Sequence, residues 1–169
     1  DNGQLAINLT GLRAERLASF LPEGLAWDGS IGGDMQARWD PGQTPVAHAR
    51  LLTDKGAVHL ARDEAEPLTL RYDQLSLELD ADKVSVRPRL QLASADLGQG
   101  HLEAVINPYA EGKPLTGEVA LSGLRLELLQ PFFPALSALT GRINGQGRLE
   151  GVLAKPRYWG NIELTDGRM

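Results

Sequence analysis

The amino-acid sequence predicts an all-β fold, an elongated antiparallel sheet built from a repeated unit, and three observations lead there. Apolar and polar residues alternate with a period of two along most of the chain. Gly, Pro, Asn and Asp break that alternation at the roughly 8–12-residue spacing of successive short strands. The start of the chain also returns near its end at one constant offset. Leu9-Thr10-Gly11-Leu12-Arg13 recurs as Leu121-Ser122-Gly123-Leu124-Arg125, 112 residues later, and between positions 7 and 33 this shift gives 12 identities in 27 without a gap. A fixed-period echo marks a repeat architecture, in which each unit buries its apolar face by stacking on a neighbour.

Leucine, the most abundant residue at 29 of 169, favours helices intrinsically, so period and punctuation decide each element. Residues 15–20 place Leu17 and Phe20 at helical spacing, but the run is too short for an independent helix and stops before Pro22. Leu68, Leu70 and Tyr72 then alternate with Thr69 and Arg71, and Leu75, Leu77 and Leu79 with Ser76, Glu78 and Asp80. The phase slips by one between Tyr72 and Leu75, which a β-bulge or short bend would produce. Val84 and Val86 alternate with Ser85 and Arg87, and Leu90 and Leu92 with Arg89 and Gln91. Pro88 interrupts that strand and points to an edge, a kink or a bulge. Leu102, Ala104 and Ile106 follow, closed by Asn107-Pro108. Val119 and Leu121 lead through Ser122-Gly123 into a second phase change, after which residues 127–133 repeat the short helical pattern before Pro134. Each helical turn is expected to fold its aromatic residues over the apolar side of the sheet.

One-sided alternation gives each strand an apolar and a polar face, and stacking merges the apolar faces into one surface. The expected lining is Leu68, Leu70, Leu75, Leu77, Leu79, Val84, Val86, Leu90, Leu92, Leu102, Ile106, Val119 and Leu121. Ser76, Glu78, Ser85, Arg87 and Gln91 should face water. Aromatics are only 5% of residues, so the lining is mostly aliphatic; an open trough and a closed sandwich are both compatible with it. No linker divides the chain, and residues 1–169 read as a single repeat-built β domain. Repeat-like sequence reaches both termini, so the chain is expected to be a fragment of a larger protein.

Composition narrows the function. The net charge of −5 supplies no basic stripe for nucleic acid. No apolar run approaches the length of a spanning helix, and the absence of Cys removes any disulfide framework. His48, His59 and His101 lie far apart, with no second ligand at metal spacing unless Asp63 and Glu64 fold back toward His59. Asp63-Glu64-Ala65-Glu66 and Asp80-Ala81-Asp82 read as solvated turns, not calcium loops. Gly145-Gln146-Gly147 lies in a strand, with no helix after it to hold phosphate, and no G-x-S-x-G elbow occurs. No catalytic residue, metal or cofactor is expected, and the chain does not read as an enzyme. Trp27, Trp39 and Trp159 read as core fillers or strand-end caps, with contact to a lipid tail or partner edge as the alternative.

From Gly141 onward the sequence runs G-R-I-N-G-Q-G-R-L-E-G-V-L-A-K-P-R-Y-W-G-N-I-E-L-T-D-G. This resembles the repeating strand–turn–strand pattern of the TamB family and its AsmA-like relatives, through Gly141, Ile143, Gly145, Gly147, Leu149 and Gly151, then Pro156, Gly160, Ile162, Leu164 and Gly167. Gly29, Ile31 and Gly33 begin the same pattern, with Met35 and Ala37 where Gly and Leu are usual. The resemblance implies a C-terminal-type periplasmic fragment of a protein anchored in the inner membrane of a Gram-negative bacterium. It further implies a curled sheet, or β-taco, with an apolar concave side, and a TamA-like outer-membrane barrel protein as partner. The cargo implied is phospholipid or unfolded outer-membrane protein; the alternative is a spacer with a dry core that binds partner proteins by strand addition.

Overall fold

The computed structural model describes residues 2–62, 65–129 and 140–168. Along the described chain run β1 (Gly3–Arg13), β2 (Leu25–Asp28), β3 (Ser30–Trp39), β4 (Val46–Thr53), β5 (Gly56–Arg62) and β6 (Ala65–Tyr72). They are followed by β7 (Gln74–Ala81), β8 (Val86–Ser94), β9 (Gly98–Ile106), β10 (Pro114–Arg125), β11 (Thr140–Val152) and β12 (Lys155–Arg168). Two 3-10 turns, Ala14–Phe20 and Leu126–Leu129, fall where the helical spacing predicts them. The expected plug residues Phe132, Phe133 and Pro134 lie outside the described residues.

Nine strands form one antiparallel sheet in the order β1-β3-β4-β7-β8-β9-β10-β11-β12, and β2-β5-β6 form a second. The fold is all-β, as the alternation predicts. The second sheet explains a feature that the sequence alone leaves ambiguous. Tyr72 ends β6 in the small sheet, while Gln74 begins β7 in the large one. The phase slip between Tyr72 and Leu75 is thus a change of sheet, not a bulge within one strand. Leu68 and Leu70, expected on the same surface as Leu75, instead belong to the small sheet. That sheet lays Leu60, Leu70 and Tyr72 onto Leu97, with Leu75 and Leu92 of the large sheet and Leu128 at the margin. This local two-layer core holds both fully buried large side chains among the described residues, Leu70 and Leu97.

The second phase change is a true bulge, and the repeat carries it twice. Pairing of β1 with β3 shifts between Leu9 and Leu12, and pairing of β10 with β11 shifts between Leu121 and Leu124, the same positions under the 112-residue offset. The glycine inside each bulge is left-handed, with φ of 65° at Gly11 and 57° at Gly123. Only glycine enters that region without Cβ strain.

Two local expectations are corrected. Val84 lies in the turn between β7 and β8, 64% exposed, not on a strand. Asp82 makes that turn: its Oδ1 accepts the backbone N–H groups of Val84 and Ser85, both at 2.8 Å, and Ser85 is buried instead of facing water. Pro88 sits inside the sheet, opposite Leu79, and not at an edge. Its missing N–H is accommodated on the β9 side, where recorded pairing lapses at Arg87 and Pro88 and resumes in the same register at Arg89↔Glu103.

Gly11→Ala and Gly123→Ala should each destabilise the protein by about 1–2 kcal/mol through left-handed strain, and the Asn variants by less. Leu70→Ala should cost about 2–5 kcal/mol, the range for a buried leucine. Urea midpoints of the variants measure both; a Gly→Ala change without cost would show that the bulge does not depend on its left-handed residue.

Candidate functional site

Cross-strand register assigns every strand residue of the large sheet to a face, because direct partners share a side and neighbours in sequence oppose. One row runs Leu9-Gly33-Leu51-Leu77-Leu90-Leu102-Val119-Gly147-Gly160 across all nine strands. The row beside it includes Leu12, Ile31, Leu75, Leu92, Leu121 and Ile162. Toward the opposite ends of the strands, Leu79 lies across from Ala49 and Pro88, and Val86 and Ile106 pair with each other. Of the expected lining residues, ten share this side: Leu75, Leu77, Leu79, Val86, Leu90, Leu92, Leu102, Ile106, Val119 and Leu121. Leu68 and Leu70 are in the covering sheet, and Val84 is in its turn.

Cover on this side is uneven. Leu75 and Leu92 lie against the small sheet's core, whereas Leu51, Leu77 and Leu90 are 37%, 38% and 39% exposed although they occupy three neighbouring interior strands. A leucine in a dry core would be almost fully hidden, so among the described residues no second layer covers the middle of the row. Toward β12 the row thins to glycine. There the Tyr158 ring lies against Gly147, and at the β1 edge the Trp39 ring lies against Gly3; a Cβ at either glycine would collide with the ring. Trp27 is a core element, its Nε1 donating to Tyr72 Oη at 2.7 Å. Trp39 and Trp159 remain exposed at 40% and 59%.

The opposite side is polar and partly self-neutralised. Its central row contains Asp34-Arg50-Glu78-Arg89-Glu103-Glu118-Arg148 as successive cross-strand partners. Arg50 approaches Glu78 at 3.3 Å, and Arg89 reaches Glu78 and Glu103, each at 3.2 Å. Contact with Glu103 above all raises the Arg89 pKa. These pairs are solvent-accessible, so water and salt screen them and they fix register more than stability.

The outer side of the small sheet carries a network that sequence reasoning missed. Asp28 Oδ1 accepts the Ala57 N–H at 3.0 Å, Asp28 Oδ2 meets His59 Nε2 at 2.7 Å, and His59 Nδ1 lies 3.0 Å from Thr69 Oγ1. The alternation does turn His59 outward, yet nothing in the spacing of 28, 59 and 69 announces that three strands unite them. Both imidazole nitrogens are occupied, and among the described residues no group of three or more His, Cys, Asp or Glu gathers to hold a metal. Asp63 and Glu64, the suggested additional ligands, lie outside the described residues. Of the acidic pair expected in a turn, Asp80 instead stands within β7, where it engages His48 at 2.7 Å, while Asp82 lies in the turn and engages Arg87 at 2.8 Å.

These features define a class: a repeat-built antiparallel sheet with a long aliphatic row on one side and a charged row on the other. Residues 1–164 match the family model of the TamB N-terminal domain, and the chain belongs to the TamB family. The matched model is that of the N-terminal domain, where the sequence pattern suggested a C-terminal type. Membership ties the chain to outer-membrane biogenesis and assembly in the bacterial envelope. No solved structure matches it. No described helix is long and apolar enough to cross a membrane.

Acid should act on Asp28. The hydrogen bond from His59, joined by the Ala57 N–H, holds its carboxyl below the ordinary value of 3.8, against a smaller opposing effect of desolvation. A lowered folded pKa contributes stability that is complete above 3.8 and is lost as pH falls through the folded value. Urea midpoints followed below about pH 5 should therefore fall more steeply for wild type than for Asp28→Asn. Parallel curves would show that the network carries no proton linkage.

Proposed function

We propose that the chain is a periplasmic segment of a TamB-like protein whose aliphatic row shelters phospholipid acyl chains between the inner and outer membranes, with a TamA-like barrel protein as partner of the parent protein. The observation that carries this reading is the exposure of Leu51, Leu77 and Leu90 in interior strands, on a row without a polar anchor. From Leu51 to Val119 the row crosses five strands, about 19 Å at normal strand spacing. An aliphatic tail of about 16 carbons gains on the order of 12 kcal/mol if fully removed from water. A surface open on one side removes only part of it, which keeps binding reversible, as transfer requires. Curling of the sheet would deepen that cover, and the single 1–169 domain would be one stretch of a longer apolar track.

Strand addition by an unfolded outer-membrane protein is the second reading, favoured by one observation. β12 is an edge of 14 residues with Ile162 and Leu164 62% and 48% exposed. An unpaired edge offers N–H and C=O groups to an extended segment. A spacer with a dry core is supported only beneath the small sheet.

The test places a charge in the row. Leu77→Glu can keep its carboxylate hydrated, so it should melt close to wild type and lose extraction of fluorescent phospholipid from phosphatidylethanolamine–phosphatidylglycerol vesicles. Leu92→Arg, set against the small sheet's core, should instead cost several kcal/mol, much of a typical domain's stability. A folded Leu77→Glu protein that extracts lipid as well as wild type would defeat the lining hypothesis.

A further inference from the structure

The polar side of the large sheet holds a concavity of about 770 Å³. Its floor is one cross-strand row, Ser76-Gln91-His101-Ala120-Gln146-Asn161, from β7 to β12. No Lys or Arg lines it, and Glu163 is its one carboxylate. The side-chain amides of Gln91, Gln146 and Asn161 and the His101 ring have no hydrogen-bond partner among the described residues. That sets this row apart from the Arg50–Glu78–Arg89–Glu103 row on the same side, whose groups engage each other.

The lining selects a ligand by elimination and by fit. Without a cation in its lining the amide row has nothing to hold phosphate or carboxylate, Arg148 standing beyond it opposite Trp159, and a single carboxylate does not recruit a polycation. The strands β8 to β11 are paired on both sides, so along them a peptide finds no free main chain to add to, and the open edge of β12 lies at the end of the row, not along it. A carboxamide presents a donor beside an acceptor, which matches adjacent hydroxyl groups that each donate and accept. Trp159 lies beyond the concavity's lining but on the same side, two residues along β12 from Asn161 and across from Arg148, and its exposed ring offers a flat apolar surface for the C–H face of a sugar. The row crosses six strands, about 24 Å, so it suits a linear chain more than a single ring.

We propose that this concavity binds a linear, uncharged oligosaccharide strand, its hydroxyl and acetamido groups taken by Gln91, Gln146 and Asn161 and one ring stacked on Trp159. The site lies opposite the aliphatic row and does not depend on the lipid reading.

The chain is titrated with chitotetraose and with cellotetraose, followed by calorimetry and tryptophan fluorescence. Saturable binding of at least one is expected, weakened tenfold or more by Gln146→Ala and by Asn161→Ala, with melting temperatures unchanged. Trp159→Ala should abolish the fluorescence response. Should Trp159→Ala fail to fold, the two amide variants decide the outcome. Absence of saturable binding to either sugar overturns the proposal. So does binding that both amide variants retain, or tighter binding of an anionic heparin tetrasaccharide, which would mark a charge-driven surface.

Discussion

The ladder of the nine-stranded sheet keeps one side-chain phase from β1 to β12, and every other property depends on that register. Because side chains alternate with a period of two, a slip of one residue in any strand would exchange its leucines with its charges. The charged row reinforces the choice. With Glu78 between Arg50 and Arg89, and Arg89 between Glu78 and Glu103, a slipped strand would lose its ion pairs as well as misplace its leucines. Each contact is weak, but all favour the same alignment. The bulges at Gly11 and Gly123 shift the register at equivalent points of the repeat, and a third shift lies between Thr140 and Arg142, where β11 begins its pairing with β12.

The small sheet supplies what the large sheet lacks. An extended single layer buries little side-chain volume; here both fully buried large side chains lie in the core shared with β2-β5-β6. The chain inserts β5 and β6 between β4 and β7, which remain neighbours in the large sheet. The excursion therefore adds a second layer without interrupting the ladder. One consequence is functional asymmetry along the aliphatic side: Leu75 and Leu92 are committed to stability, whereas Leu51, Leu77 and Leu90 retain accessible surface.

Much of this was legible in the sequence, and the failures have specific causes. Alternation located the strands between residues 68 and 128, and ten of the thirteen residues it named share a side of the large sheet, because that pattern reports local geometry directly. It did not say that Leu68 and Leu70 belong to another sheet, since a change of sheet and a bulge produce the same slip in phase. Val84 and Val86 fit a strand equally well; Asp82 decides between them by capping the turn, a side-chain interaction that outweighs the β preference of Val84. Of the three placements open to Pro88, the edge fails because a proline blocks pairing on only one side of its strand. The Asp28–His59–Thr69 network was invisible for a simpler reason: its members meet only after three strands, distant in sequence, are aligned.

The repeat also provides an internal comparison. β1 and β10 share sequence, the bulge and the following 3-10 turn, yet β1 is an edge of the large sheet and β10 is flanked on both sides. If a neighbouring strand on the far side imposed the conformation, the two copies would differ at the bulge. They keep the same register shift and a left-handed glycine within 8° of each other, from 65° to 57°. The conformation is therefore set by the pairing that both copies share, β1 with β3 and β10 with β11. Local determination of this kind is what allows a solenoid-like sheet to grow by nearest-neighbour addition, each unit folding against the last without altering it.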